Sequence, residues 1–326
     1  MSTKPILVFG VPRSGSTWTS KVLSHANHTQ LIMEPDNESM NIMALIGKRN
    51  YPQIPYIHQK EHATCYFDLW QHIFGTNFLY TSALSNKILR RIDKYYPDII
   101  EKHLQNKSVN KSNITQHEHN RLYYFVKKVN HFYKFPTHLR KVVKTVHAGL
   151  CIEFLYKHFT FQPLIIFRHP ANVVASCSKL NLNDGNRYVF LQERLHQNYL
   201  QEFQKQIEAL TSPISLMAAQ VGIHYYIWET LLKKYPSWIM TYHEELCDNP
   251  MDKFYELFAD LNLQWTNDVE SFIQSSNQSG SGFSIYRETN SQVDKWKGEL
   301  TSKQIEEVKK GYGIFPLKSY QHFLHT

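Results

Sequence analysis

Ile6-Leu7-Val8-Phe9 runs directly into Gly10-Val11-Pro12-Arg13-Ser14-Gly15-Ser16-Thr17, after which Trp18, Val22 and Leu23 recur at helical spacing. The unbroken apolar run predicts a parallel strand covered on both faces. Two glycines and a proline then break it. Strand, glycine-rich loop and helix in this order aim backbone N–H groups and a helix dipole at a phosphate.

Further apolar runs lie at Leu31-Ile32-Met33, Val142-Val143, Leu164-Ile165-Ile166-Phe167 and Trp238-Ile239-Met240-Thr241. Stretches long enough for helices, such as Gly149 to His158 and Ala219 to Lys234, separate most of them. The alternation predicts an α/β chain: a three-layer sandwich around a central, doubly wound parallel sheet. Ligands then gather at the carboxyl ends of the strands. Between Pro35 and about Arg140 the pattern changes to His, Tyr, Asn and Lys, with helices expected at Ala83–Tyr96 and Asn120–Phe135 and an exposed loop at Asn106–His117. We read residues 1–326 as one domain carrying a largely helical insertion, a candidate acceptor lid, at about 36–140. A Ser/Gln/Asn/Gly stretch (Ser275–Ser284) precedes an amphipathic helix starting near Thr301.

Bulk properties narrow the classes. The 326 residues suffice for a large core, and 42% hydrophobic with 20% charged residues is ordinary for a globular protein. A formal charge of +8 favours anionic ligands, but the cations are scattered among carboxylates, so nucleic acid is not the expected partner. No run of eighteen apolar residues suggests a membrane span, and Ile6–Phe9 is too short for a signal-peptide core, so a cytoplasmic address is expected. Cys65, Cys151, Cys177 and Cys247 lack metal-type spacing and read as free thiols, so no metal site is expected.

Gly10 to Thr17 reads G-x-x-x-x-G-S-T. The nucleoside-triphosphate loop places a lysine where this chain has Ser16, and that lysine neutralises the transferred phosphoryl group. Here the positive charge sits inside the loop, on Arg13. The segment Pro12-Arg13-Ser14-Gly15-Ser16-Thr17-Trp18 resembles the 5′-phosphosulfate loop of sulfotransferases that use PAPS (3′-phosphoadenosine 5′-phosphosulfate), closest in style to the carbohydrate (Golgi) type and bacterial members. A second segment agrees: Leu164–Phe167 leads into Arg168, and Ser176 follows eight residues later, the spacing with which that family clamps the donor's 3′-phosphate. Physically, an arginine fork, a hydroxyl and a helix N-terminus all suit a phosphate. Tyr242-His243-Glu244-Glu245-Leu246 before Asn249-Pro250 is similar to the family's late strand, with a structural role. Arg287 and Lys297 resemble the C-terminal segment that folds over the nucleotide.

The resemblance implies sulfuryl transfer from PAPS, with PAP as product, to a small-molecule or glycan acceptor. Arg13 and Lys144 are the cations suited to the leaving group. The residue after Lys144-Thr145, a catalytic histidine in the aryl and steroid branch, is Val146 here, and His147 comes one place later. Neighbouring side chains on a strand face opposite ways, so His147 is not a simple substitute. Leu31-Ile32-Met33-Glu34-Pro35 matches the Glu-Pro base of the carbohydrate branch, and Glu34 is favoured over His147. Two other readings stay open: a P-loop kinase, and a non-catalytic binder of sulfated or acidic glycans.

Overall fold

The computed structural model describes residues 4–38, 41–75, 138–180, 182, 187–280, 286 and 288–325. Five strands form a parallel sheet in the order β2-β3-β1-β4-β5: β1 Ile6–Gly10, β2 Thr29–Met33, β3 Arg140–Thr145, β4 Gln162–Phe167 and β5 Ile239–Tyr242. The run that opened the sequence is therefore the central strand. Val8 pairs with Lys144 on one side and Leu164 on the other. All five carboxyl ends share one edge, as the alternation of strands and helices requires.

β1 is apolar throughout, and β3 and β4 are apolar in their middles, because an inner strand has two faces to cover. Ile6, Val8, Val142, Leu164 and Ile166 pack on one face against Trp18 and Val22 of helix Ser16–Leu23 and Phe254 and Phe258 of helix Pro250–Asp260. Leu7, Phe9, Val143, Ile165 and Phe167 alternate with them and meet helices Ile152–His158, Pro170–Lys179 and Pro213–Lys234 on the other face. The result is the three-layer α/β architecture read from the sequence. Pro213–Lys234 starts six residues before the apolar pattern suggested, because Ser212 caps it and Pro213 occupies its first turn. Gly311 of helix Ser302–Tyr312 lies against the Ser215 backbone, an approach that any Cβ would block.

Part of the expected insertion is described: helices Ile42–Gly47 and Thr64–Phe74, whose Tyr66, Leu69 and Trp70 are fully buried. The helices expected at 83–96 and 120–135 and the loop expected at 106–117 lie outside the described residues. The C-terminal helix begins at Ser302 behind Thr301, whose hydroxyl and the Gln304 side chain form a reciprocal capping box. The Ser/Gln/Asn/Gly stretch begins inside helix Asn267–Ser276. All four cysteines are free thiols, and no described helix is long and apolar enough to cross a membrane.

Candidate active site

The loop after β1 is shaped by two left-handed residues, Arg13 (φ 68°) and Gly15 (φ 85°), flanking Ser14. Ser14 N–H donates to Val11 O at 3.0 Å, closing a turn. Alternating handedness of this kind gathers successive N–H groups into an anion-binding concavity. Gly15 is favoured twice over: its φ strains any residue with a side chain, and a Cβ there would collide with His243, the first residue after β5. Gly15 is also the N-cap of helix Ser16–Leu23, and no side chain caps it. The orphan N–H groups of that first turn are left for a ligand. The Ser14 hydroxyl is fully buried and has no partner among the described residues.

At the end of β4, Arg168 is positioned through its backbone. The Tyr225 hydroxyl accepts from Arg168 N–H at 2.8 Å and donates to Arg168 O at 2.7 Å. Next to it, His169 N–H donates to Glu244 at 2.9 Å, so the tyrosine–acidic run after β5 plays the structural part expected of it. Arg168 Nη1 reaches back to donate to Arg13 O at 2.6 Å, and Arg13 Nε donates to Ser176 Oγ at 2.9 Å. The two motifs, 155 to 163 residues apart in the chain, thus form one cluster. Arg168 is only 7% exposed, yet its Nε has no partner among the described residues. A guanidinium N–H and a serine hydroxyl, both buried and both unsatisfied beside an uncapped helix start, form the donor set that phosphate and sulfate oxygens need. The residues fit a phosphosulfate nucleotide.

Glu34 follows β2 with φ 47°, a left-handed conformation that costs a non-glycine residue about 1–3 kcal/mol. Surrounding contacts enforce it: Glu34 N–H donates to Lys144 O at 2.7 Å, and Asn37 N–H to Glu34 O at 3.0 Å. One carboxylate oxygen is ion-paired with Lys144, and the other accepts from Val146 N–H at 3.1 Å. Both expected catalytic groups on this side therefore meet at the carboxyl ends of neighbouring strands. His147 goes elsewhere. Its Nδ1 is 3.9 Å from Glu38 and its Nε2 is 3.3 Å from the Gln53 side-chain nitrogen, in a cluster organised by the fully buried Lys48, which pairs with Glu38 at 2.9 Å.

Trp18 turns inward: its indole N–H donates to Ser276 at 2.9 Å and its ring packs edge-on against Phe254. Pro12 borders a small apolar cavity with Val11, Ile54, Val173 and His224. Ser16 is buried, and Thr17 stands in the first turn of the helix. Lys297 is exposed and paired with Asp294 at 2.8 Å. Its neighbour Trp296 stacks on His169, and Trp296 N–H donates to Asn172 at 3.1 Å, which ties the C-terminal segment to the helix of Ser176. Arg287 lies outside the described residues.

Sequence reading missed Asp36, Thr145, Tyr225 and His243 as parts of this site. Asp36 is fully buried, and burial pushes its carboxyl up to about 7, with Glu34 and Glu38 adding and Lys48 and the Thr145 hydroxyl opposing. The folded protein thus holds this proton more tightly than the unfolded chain. The stability it contributes is complete below the ordinary carboxylate value of 3.8 and is lost as pH rises through about 7. Asp36→Asn should therefore gain melting temperature relative to the parent as pH rises from 3.8 to about 7, by the equivalent of up to about 4 kcal/mol. Thermal scans across that range check this, and a pH-independent difference would refute it.

Solved structures similar to this chain include a sulfotransferase domain from the curacin biosynthetic pathway (13% identity, covering 96% of this chain and 98% of that one, TM-score 0.40) and a sulfotransferase domain from the Synechococcus PCC 7002 olefin synthase (12%, 94% and 93%, TM-score 0.40). A third is sulfotransferase STF9 from Mycobacterium avium (13%, 97% and 77%, TM-score 0.40). No curated protein matches the chain. The sulfotransferase family model matches residues 5–267, which span the loop at Arg13, the Glu34–Lys144 pair, Arg168 and Ser176. The chain belongs to the sulfotransferase family.

Proposed function

We propose that the protein transfers a sulfuryl group from PAPS to the hydroxyl of a carbohydrate or small-molecule alcohol. The observation that carries this reading is the set of unmet buried donors, Ser14 Oγ and Arg168 Nε, beside the uncapped helix start at Gly15, with serine where a kinase loop needs lysine. Ser14, Gly15, Ser16 and Thr17 supply backbone and hydroxyl donors to the 5′-phosphosulfate, while Arg168 and Ser176 serve the 3′-phosphate.

The acceptor oxygen forms its bond to sulfur as the bond from sulfur to the bridging phosphate oxygen breaks. The electron pair leaves with PAP. Arg13 and Lys144 offset the charge that develops there, and Glu34 takes the acceptor's proton. Calorimetry should show PAP binding without magnesium at least about tenfold tighter than ATP with magnesium, about 1.4 kcal/mol. The reverse preference would refute the donor assignment. Transfer of labelled sulfate from PAPS across a panel of sugars, phenols and aliphatic alcohols identifies the acceptor.

A further inference from the structure

Two residues beyond Glu34, the buried Asp36 carboxylate accepts from one side-chain hydroxyl among the described residues. Thr145 Oγ lies 2.7 Å from its Oδ1 and 2.9 Å from its Oδ2. The same Oγ accepts the backbone N–H groups of His147 and Ala148, each at 3.1 Å. Those two bonds occupy the hydroxyl's lone pairs, so its one hydrogen is committed to Asp36. The turn fixed in this way carries Val146, whose N–H donates to Glu34 Oε2 at 3.1 Å.

The opposite end of the contact chain is anchored as firmly. Asp36 sits inside the turn closed by Asn37 N–H and Glu34 O, and its own carbonyl accepts from the buried Lys48 ammonium at 3.0 Å. Lys48 in turn holds Glu38 at 2.9 Å and the Gln53 carbonyl. Two turns, one after β2 and one after β3, are therefore joined by the Asp36–Thr145 contact in addition to the bonds of Glu34 to Lys144 and Val146. Between them stands a glutamate whose backbone is in an unfavourable conformation and whose second oxygen depends on one amide. Nothing else among the described contacts of Glu34 Oε2 would restore its direction if that amide turned away.

We propose that Asp36 is a positioning residue for Glu34: with Thr145 it fixes the Val146 amide and through it the direction in which the base presents its carboxylate. The inference rests on Glu34 being the proton acceptor of the proposed function. It differs from a merely supportive role for a buried pair in what it predicts for kinetics. A structural support would lower stability and donor affinity together. A clasp on the base lowers the chemical step alone, because the donor loop and Arg168 are held by other contacts.

Asp36→Ala and Thr145→Val test this, with Thr145→Ser as the conservative variant that keeps the hydroxyl. Turnover is followed as PAP release from PAPS, with water as acceptor and with the best alcohol of the panel. The expected result is a kcat loss of about 100-fold in the first two variants, the size of effect that a misplaced catalytic group produces. KM for PAPS and the Kd for PAP should stay within about threefold, and Thr145→Ser should restore kcat to within that same margin. If Asp36→Ala does not fold, the two Thr145 variants decide the matter alone. Unchanged kcat in Thr145→Val, or a loss shared equally by PAP binding, overturns the clasp. Glu34→Gln run beside them separates the two failures: if it is inactive while Asp36→Ala and Thr145→Val match the parent, only the clasp falls, and if it is fully active the assignment of the base falls.

Discussion

Arg168→Ala should weaken PAP binding by about 100-fold or more while leaving the fold intact, because it removes charge-assisted donors worth about 1.5–3 kcal/mol each. The side chain is buried, Nη1 is committed to Arg13 O, and Nε is unsatisfied without a ligand. Its loss therefore acts twice. The 3′-phosphate loses its fork, and the carbonyl of Arg13, a left-handed residue, loses the contact that steadies the loop. The backbone of Arg168 remains held by Tyr225, which is why the β4 end should keep its place in the variant. Arg168→Lys retains charge but not the planar fork and should recover only part of the affinity. Ser176→Ala should cost less, about tenfold, since one hydroxyl is lost and Arg13 Nε can turn to the ligand instead. Calorimetric titration with PAP, beside a thermal melt of each variant, reads the difference. Equal PAP affinity in Arg168→Ala and the parent would refute the clamp.

The parts of this architecture that could be read from the chain are those whose causes are local. Ile6–Phe9 had to be a covered strand because four apolar residues in a row leave no face for water, and all four are fully buried. The loop was readable because left-handed backbone at Gly15 calls for glycine and a nucleotide-type helix start needs no side-chain cap. Arg168 and Ser176 were singled out by resemblance to the family's spacing, and both lie on one strand–helix junction. What escaped were contacts made by chain folding. Nothing near Glu34 announces that Lys144, 110 residues away, is its partner, or that Val146 contributes an amide rather than a side chain. His147 looked like a rival base because it stands near the position of one. The turn after Thr145 instead directs it toward Glu38 and Gln53. Asp36 was invisible for the plainest reason: one aspartate among 28 acidic residues carries no mark of burial until the strand beside it supplies Thr145.

Glu34→Gln should lower turnover by about 10²- to 10⁴-fold, the usual contribution of a positioned general base, without loss of PAP affinity. The amide is nearly the same size and can still accept from Val146 N–H, so the left-handed turn at residues 34–37 keeps its shape. What it cannot do is take a proton. It also releases Lys144 from its ion pair, and a buried ammonium without its carboxylate is strongly disfavoured. Two results are therefore expected from one substitution: the chemical step collapses, and the PAP complex gains relative to the free enzyme because Lys144 seeks an anion. Glu34→Ala should lose turnover as deeply but destabilise the turn as well, since both partners of the carboxylate lose their contact. The informative comparison is kcat against PAP Kd in the two variants. A Glu34→Gln protein that keeps its turnover while His147→Ala loses it would move the base to the other end of the turn. Failure of both to affect turnover would place proton removal outside this edge of the sheet. The reading of Glu34 as base rests on its carboxylate lying at the strand ends against Lys144 and the Val146 amide.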